Sequence, residues 1–209
     1  MAHGPVTRIS RPYPDRVDVR GRDLVEDVMG RLSFSEYFHL LLTGDEPTED
    51  QRFFLDLLLV AIAEHGMMPT NVTARITLAA DPGSLQGAVA AGILGCGPVI
   101  LGTSEACARV LELADERGVS GAHVELARDL RDAVAGVWGR PLTMNVALPI
   151  AAVMLDLGFP SAAVKGIPIL ARTAGLLAHL AEEQQRPLGF LMASAAEDAV
   201  RYEPPPPRP

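Results

Sequence analysis

The sequence predicts an all-α protein, and three patterns lead to that fold class. After the first 20 residues, apolar residues recur three and four positions apart almost to the end of the chain, as they do in amphipathic helices. Glycine and proline separate these stretches, for example at Asp81-Pro-Gly-Ser84. Two helix starts carry a capping box, in which side chains satisfy backbone N–H groups, namely Ser33 with Glu36 and Thr48 with Gln51.

The individual helices follow in order from these signals. We expect helices over residues 35–42, 49–64, 85–94, 103–117, 123–137, 144–157, 165–183 and 188–202. The helix over 49–64 is apolar on most of its faces, so it should be central or lie at an interface. The helix over 85–94 consists largely of small residues, which predicts close packing against a neighbour.

The two ends of the chain differ from the helical part. Pro5, Pro12 and Pro14 precede alternating Val17 and Val19, so residues 1–20 should form an extended arm on a surface or a partner. Four consecutive prolines within residues 203–209 predict an extended tail, because proline donates no backbone hydrogen bond. Residues 21–202 should form the main helical domain.

Composition excludes several classes of function. The chain has 26 acidic and 18 basic residues, and this formal charge of -8 argues against a nucleic-acid partner. Two cysteines, Cys96 and Cys107, are too few for a secreted disulfide framework, and the N-terminus resembles no signal peptide. The longest uncharged apolar segment, residues 88–101, is shorter than the ~20 residues of a membrane span, so we expect a cytoplasmic protein. No zinc spacing, Walker loop or dinucleotide fingerprint is present, and neither a metal nor a cofactor is predicted.

One of the five histidines lies at a position suited to chemistry. His65 follows the long apolar helix and precedes Gly66, and Thr70 and Arg75 come soon after it. A side chain at a helix end beside glycine can turn into a cleft, where the dipole of the helix C-terminus favours an imidazolium. A functional and a structural role both remain open for His65 at this point. A solvated or hydrogen-bonded structural role is expected for His3, His39 and His123.

Arg172 and His179 share a predicted helix and lie seven residues apart, so they fall roughly on one face. An arginine in an otherwise apolar helix is costly to bury unless it meets an anion. Two explanations remain open from the residues alone. Arg172 either pairs within the chain, with Asp156 or Glu182, or binds an anionic ligand.

At this point the motifs resemble a known family. Ala61-Ile-Ala-Glu-His65-Gly, followed by Thr70 and the pair Ala74-Arg75, is similar to a citrate synthase motif in which a histidine at a helix end precedes a small hydroxyl residue and an Ala-Arg pair. Further segments that resemble the family, in the same order, are Leu85-Gln-Gly-Ala-Val-Ala-Ala-Gly92, Gly97-Pro98, Gly102-Thr-Ser-Glu105-Ala, Pro141-Leu-Thr-Met-Asn145-Val146, Leu157-Gly-Phe-Pro160 and Arg172-Thr-Ala-Gly175-Leu-Leu-Ala-His179.

The resemblance covers most of the chain, from about Val17 to Tyr202, and is strongest to the short citryl-CoA lyase-like branch of the citrate synthase family. It implies an all-α, citrate synthase-like multihelical fold in a homodimer, with a truncated small domain around residues 105–140. It also implies a cleft for a dicarboxylate or tricarboxylate beside a site for a CoA thioester, which is a substrate rather than a cofactor. The expected reaction is cleavage of citryl-CoA to acetyl-CoA and oxaloacetate, as a lyase, or the reverse condensation, as an acyltransferase.

Carried over residue by residue, the resemblance assigns a catalytic role to His65. It assigns substrate binding to Thr70, Arg75, Arg172 and His179. In the family, histidines stabilise the enol and polarise the ketone, an aspartate removes the α proton, and arginines hold carboxylates.

The departures from the family pattern bear directly on activity. Ala147 stands where the family has aspartate after Asn-Val, and Ile100 stands where it has the enol-stabilising histidine. The segment with Gly-Phe-Gly-His and a following Asp-Pro-Arg is missing. Loss of a general base alone typically costs ~100-fold to 10,000-fold in rate.

Three hypotheses follow from these matches and departures. The first is a citryl-CoA lyase-like protein that binds a carboxylate or CoA thioester, with its activity altered or lost. The second is a non-catalytic scaffold or regulatory subunit that pairs with an active paralogue of the family. The third is an enzyme of a different reaction type in the same cleft, which the sequence does not specify further.

Overall fold

The computed structural model describes residues 4–64, 66–96, 122–139 and 147–205, and most of these residues are helical. The all-α fold class is therefore confirmed. In chain order the described elements are β1 (Ser10–Pro12), β2 (Val17–Val19), β3 (Arg22–Asp23), a π-helical turn (Leu24–Val28), α1 (Phe34–Thr43), α2 (Glu49–Ala63), α3 (Pro69–Ala80), α4 (Leu85–Leu94), α5 (His123–Trp138), α6 (Ala147–Asp156), α7 (Ser161–Val164), α8 (Gly166–Gln185) and α9 (Gly189–Ala199).

The chain groups into two compact units, and each is built from two separate stretches. Unit 1 consists of Met1–Leu58 and Cys107–Val164, and unit 2 consists of Leu59–Ala106 and Lys165–Pro209. The main domain over 21–202, with a reduced small-domain portion around residues 105–140, stays a prediction. Helix α2 begins in unit 1 and ends in unit 2.

Unit 1 begins with a small antiparallel sheet in the order β1-β2-β3. The sequence predicts the extended conformation of this segment but not its pairing. The connection between β2 and β3 consists of Arg20 and Gly21, whose φ angles are 50° and 80°. Positive φ at both central residues is the geometry of a tight two-residue hairpin, which glycine adopts readily and arginine does not.

The Arg20 side chain links this hairpin to the end of α1. Its guanidinium donates to the backbone carbonyl oxygens of Leu41 and, at 3.3 Å, of Leu42. These carbonyls belong to the last turn of α1, where no intrahelical partner remains. The contact therefore stabilises the helix end. It is made by the same residue whose backbone has the unusual positive φ angle.

Both predicted capping boxes are present. At the start of α1, Glu36 N donates to Ser33 Oγ at 3.4 Å and Ser33 N donates to the Glu36 carboxylate at 2.7 Å. Before α2, Gln51 N donates to Thr48 Oγ1 at 3.2 Å and Thr48 N donates to Gln51 Oε1 at 2.8 Å. Helix α1 ends at Gly44, whose φ of 94° explains the glycine there.

Unit 2 packs α3, α4, α8 and α9 around an apolar core. The buried core residues are Ala74, Leu78, Ala88, Leu176 and Leu180. Helix α4 lies close to its neighbours, since a Cβ on Gly92 would come within 2.9 Å of the Leu176 side chain and 3.1 Å of the Ala74 Cβ. The close packing predicted for the small-residue helix is thus confirmed.

Most predicted helices are found within a few residues of their expected ends. Helix α3, which Pro69 opens at its first turn, is absent from the set predicted by the sequence. The predicted helix over 103–117 and the positions His65 and Ile100 lie outside the described residues. None of the helices in the described ranges is both long and apolar enough to cross a membrane.

Candidate functional site

The predicted binding residues lie together in unit 2. Thr70 and Arg75 are on α3, and Arg172 and His179 are on α8. Arg75 and Arg172 are each only 1% exposed, and Thr70 is fully buried. Two buried arginines in a small helical unit require negatively charged or hydrogen-bonding neighbours.

The end of α2 reaches this cluster because of one glycine on α8. A Cβ on Gly175 would overlap the backbone carbonyl of Ala63, so only glycine lets α2 end against α8 here. Four residues further along α8, on the same face, lies His179. Glu64, which follows Ala63, consequently meets this imidazole, and its Oε2 lies 2.9 Å from His179 Nε2.

Arg75 lies on the other side of the same imidazole. Its Nε donates to His179 Nδ1 at 3.1 Å, and its Nη2 lies 2.9 Å from the same nitrogen. Its Nη1 donates to Glu183 Oε2 at 2.9 Å, and its Nη2 also donates to Glu182. Glu183 is only 2% exposed, whereas Glu182 is 52% exposed. The arginine therefore has one buried and one exposed carboxylate partner.

Glu183 also ties α9 to the cluster. Its Oε1 accepts hydrogen bonds from Leu188 N at 2.8 Å and Gly189 N at 2.7 Å, at the start of α9. Burial by itself would raise the pKa of Glu183, but the Gly189 N–H, the Arg75 guanidinium and the Leu188 N–H lower it below its ordinary value. The carboxylate is therefore ionised inside the unit.

The turn after α2 is held by Asn71 on α3. Asn71 Nδ2 donates to the Gly66 carbonyl at 2.6 Å and lies 2.9 Å from His179 Nε2, while the Thr70 hydroxyl lies 3.4 Å from Asn71 Oδ1. Gly66 N donates to Glu64 Oε1 at 2.6 Å. The two residues that flank position 65 are thus fixed to α3 and α8, although His65 itself lies outside the described residues.

Two further groups in the cluster have perturbed pKa values. Partial burial would raise the pKa of Glu64, but hydrogen bonds from His179 and from the Gly66 N–H, together with the charge of Arg172, lower it. Burial raises the pKa of Cys96, and the Arg172 charge opposes this effect. The positive charge of Arg172 therefore acts on the same region as His179 and Glu64.

The arrangement is a continuous hydrogen-bonded chain from Glu183 through Arg75 and His179 to Glu64. The sequence motifs predict Arg75 and His179 but miss their carboxylate and amide partners. A signal for them exists: Glu64 directly precedes the predicted catalytic His65, and Glu182 lies three residues after His179 on the same helix face. The missed residues are Glu64, Asn71 and Glu183, while Glu182 was expected as a possible partner of Arg172 and is found with Arg75.

Two cavities are found in unit 1, and neither shares a lining residue with this cluster. One of ≈ 440 Å³ is lined by residues 5–12 and by Asp18, Arg20 and Gly21. The other, of ≈ 450 Å³, is lined by Arg22, Asp27, Arg31, Leu32 and Glu46. Neither contains a residue that the sequence predicts to be functional. Within the part of the chain that the structure describes, no group of three or more His, Cys, Asp and Glu side chains is arranged to hold a metal ion.

Comparison with known proteins identifies solved structures with a similar fold. Neither a protein-family model nor a curated protein matches the sequence. Among solved structures, the chain is similar to citryl-CoA lyase from Hydrogenobacter thermophilus, with a TM-score of 0.85 and 26% sequence identity over 99% of this chain and 97% of that one.

Two ATP citrate lyase structures share the fold. One, from Methanosaeta concilii, is in complex with (3S)-citryl-CoA and has a TM-score of 0.75 at 17% identity. The other, from Methanothrix soehngenii, is in complex with citrate and coenzyme A and has a TM-score of 0.76 at 18% identity. Each match covers 99% of this chain, which spans 42% of the length of either lyase.

The fold and the buried cluster together define the class as an all-α, citrate synthase-like protein. The family resemblance found in the sequence is confirmed, because structural similarity extends over nearly the whole length of a citryl-CoA lyase. In fold, the chain is similar to citryl-CoA lyase.

Proposed function

We propose that this protein is a citryl-CoA lyase-like protein that binds a CoA thioester together with a dicarboxylate or tricarboxylate. Its reaction is the cleavage of citryl-CoA to acetyl-CoA and oxaloacetate, or the reverse condensation. The observation that carries the proposal is the similarity to citryl-CoA lyase at 26% identity over 97% of that enzyme's length. The ligands of the two ATP citrate lyases, citryl-CoA, citrate and coenzyme A, belong to the same chemical set.

The buried charges of unit 2 support the choice of ligand. Arg172 is 1% exposed and its charge acts on Glu64 and Cys96, so a cation lies within the cluster despite a chain charge of -8. A guanidinium can bind a carboxylate through two parallel hydrogen bonds. We assign Arg172 to the ligand carboxylate, Thr70 to substrate binding and His65 to catalysis.

Ala147 and Ile100 favour a form of this function in which binding is retained and turnover is altered or lost. A methyl group and a branched alkyl group cannot transfer protons, whatever their positions. Ala147 is the first residue of α6. The double replacement Ala147→Asp with Ile100→His should restore part of the enolisation step, measured as deuterium exchange into acetyl-CoA. No exchange would count against an inherited proton-transfer site.

The direct test uses purified protein and (3S)-citryl-CoA. Oxaloacetate release is followed by NADH consumption through malate dehydrogenase, and calorimetry measures binding of citrate, oxaloacetate and acetyl-CoA. Arg172→Gln should weaken citrate binding by about 10-fold or more, since a charge-assisted hydrogen bond is lost. Arg186→Gln, an exposed arginine that follows α8, is the matched control. Absence of both cleavage and binding at millimolar ligand would refute the proposal.

A second candidate function is a non-catalytic scaffold or regulatory subunit. It is favoured by the exposed apolar face of α2, where Phe53 is 56%, Leu57 49% and Val60 77% exposed. Such a face would pair with an active paralogue of the family. Light scattering of the protein alone and mixed with that paralogue separates the two candidates, because a self-dimer that ignores the paralogue contradicts the scaffold.

The homodimer, the cytoplasmic location and the domain limits at residues 21 and 202 stay predictions. Val60→Glu places a charge on the exposed α2 face and should lower the dimer fraction if that face is the dimer contact. An unchanged molar mass would place the dimer contact elsewhere.

A further inference from the structure

We propose that Arg75 is a positioning residue that acts through His179, holding its imidazole in the tautomer with hydrogen on Nε2, and that it does not bind the substrate carboxylate. The proposal refines the site in unit 2 and rests on the proposed function for the role of that site. The tautomer itself follows from the geometry of unit 2 alone.

The donor and acceptor inventory determines the tautomer. A guanidinium is always protonated and has donors only. Because Arg75 Nε lies 3.1 Å and Nη2 lies 2.9 Å from His179 Nδ1, this nitrogen has to accept and cannot carry hydrogen. A neutral imidazole has one N–H, so the hydrogen lies on Nε2. That nitrogen is 2.9 Å from Glu64 Oε2, which accepts.

Asn71 offers the competing arrangement. Its Nδ2 donates to the Gly66 carbonyl at 2.6 Å and also lies 2.9 Å from His179 Nε2. If Nε2 accepted from this amide, the ring hydrogen would move to Nδ1 and point at the Arg75 donors. An imidazolium would have the same conflict at Nδ1. Two N–H groups of Arg75 face Nδ1, whereas one amide N–H faces Nε2 and has an alternative acceptor in Glu64 Oε1 at 3.4 Å. Arg75 therefore decides in favour of donation from Nε2 to Glu64.

Most of the hydrogen-bonding capacity of Arg75 is used within unit 2. Four of its five N–H groups meet His179, Glu182 and Glu183. The two glutamates give this group a net negative surrounding, which repels an incoming carboxylate. Displacing Glu183 would also release the backbone N–H groups at the start of α9. Binding of a ligand carboxylate at Arg75 is consequently disfavoured.

The hydrogen-bonded chain from Glu183 through Arg75 and His179 to Glu64 forms a relay. Its accessible end is Glu64, whose side chain is 42% exposed. It directly precedes His65 in the chain. Its carboxylate is held in place by the Gly66 N–H and by His179 Nε2. Arg75 thereby sets the orientation and charge of a group next to the proposed catalytic residue without contacting the substrate.

Nitrogen-15 NMR of the imidazoles in the full chain tests the tautomer without any functional assay. His179→Gln identifies the signal of this ring among the five histidines. We expect wild-type protein at pH 7 to show a protonated Nε2 and an unprotonated Nδ1. Arg75→Gln, which removes the cation, should give a mixture of tautomers, whereas Arg186→Gln should leave the signal unchanged. An imidazolium or hydrogen on Nδ1 in the wild type overturns the proposal, even if Arg75→Gln fails to fold.

Calorimetry with citrate then separates positioning from substrate binding. Arg75→Lys should change the dissociation constant by less than about threefold, while Arg172→Gln weakens binding by about 10-fold or more. Equal weakening by the two variants with the tautomer unchanged would make Arg75 a ligand-binding residue and overturn the proposal. If wild-type protein binds no ligand, the proposed function fails, and the NMR result still decides the relay.

Discussion

Two histidine–carboxylate pairs among the described residues differ in what surrounds them. In unit 2, His179 Nε2 lies 2.9 Å from Glu64, and a buried arginine donates to the opposite ring nitrogen. In unit 1, His123 Nδ1 lies 2.6 Å from Asp156, and the same carboxylate accepts from the backbone N–H groups of His123 at 2.9 Å and Val124 at 3.2 Å. Both imidazoles are similarly buried, with 15% and 19% of the side chain exposed.

The different surroundings of the two pairs show that a histidine–carboxylate contact alone does not identify the function of the histidine. Asp156 is the last residue of α6, and its carboxylate accepts from the first N–H groups of α5, which have no intrahelical partner. Its histidine contact is therefore part of a helix cap. The ring nitrogens of His179, by contrast, contact the side chains of Arg75, Glu64 and Asn71. The hydrogen-bonding pattern of this ring is set by Arg75, which comes from another helix and is itself fixed by Glu183. Four substitutions sharpen this contrast, in order from the largest expected effect to the smallest.

Arg75→Met removes the cation behind His179 and leaves the Glu183 carboxylate buried without its charge partner. Breaking a buried pair by removing one partner typically costs about 3–5 kcal/mol. We expect the free energy of unfolding, measured in urea, to fall by that amount. Glu182→Gln is the matched control, because Glu182 is 52% exposed and such pairs contribute about 1 kcal/mol or less. Equal effects of the two variants would contradict the buried pair.

Gly175→Ala places a Cβ against the Ala63 carbonyl and should push the end of α2, with Glu64, away from His179. Overpacking of this kind costs about 1–3 kcal/mol. Gly166→Ala on the same helix is the control, because a Cβ there meets no atom within 4 Å. That variant should be neutral or stabilise by up to about 1 kcal/mol. Urea unfolding of both variants checks the prediction, and equal stabilities would show that α2 and α8 have more space than their contact implies.

Asp156→Ala removes the cap of α5 and should cost about 0.5–2 kcal/mol at neutral pH. Burial would raise the pKa of Asp156, but the N–H groups of His123 and Val124 and the His123 side chain lower it below its ordinary value of 3.8. The cap therefore contributes fully above pH 3.8, and its contribution is lost as the pH falls through the lower, folded-state pKa. Wild type and variant should converge in stability in acid. Stability curves that stay parallel down to about pH 2 would show that the carboxylate charge does not matter.

Glu64→Gln should have the smallest effect on stability, about 1 kcal/mol or less, because the side chain is 42% exposed. The amide keeps an oxygen that can accept from Gly66 N–H and His179. Thermal and urea unfolding measure this value. A loss as large as that of Arg75→Met would mean that the exposed end of the relay, and not its buried end, stabilises unit 2.

Local sequence signals placed most of the described helices, although they missed α3, and they did not give the partners within the site. The capping boxes at Ser33 and Thr48 act within a few residues, so the starts of α1 and α2 could be placed from the sequence. Arg75 and His179 could be recognised as charged or polar residues among apolar ones. Their partners could not be named, since Glu183 lies 108 residues from Arg75 along the chain and its contact depends on how α3 packs against α8.

The amino-acid sequence by itself determined the all-α fold class and the family resemblance, because periodicity, capping and side-chain chemistry are local properties. It also shows that Ala147 and Ile100 carry no group that can transfer a proton. The tertiary structure decided which charges meet. Gly175 allows α2 to end against α8, and α9 presents its N–H groups to Glu183. An arginine that sequence motifs assign to the substrate is consequently enclosed by two glutamates and a histidine, an outcome that depends on helix packing rather than on any single motif.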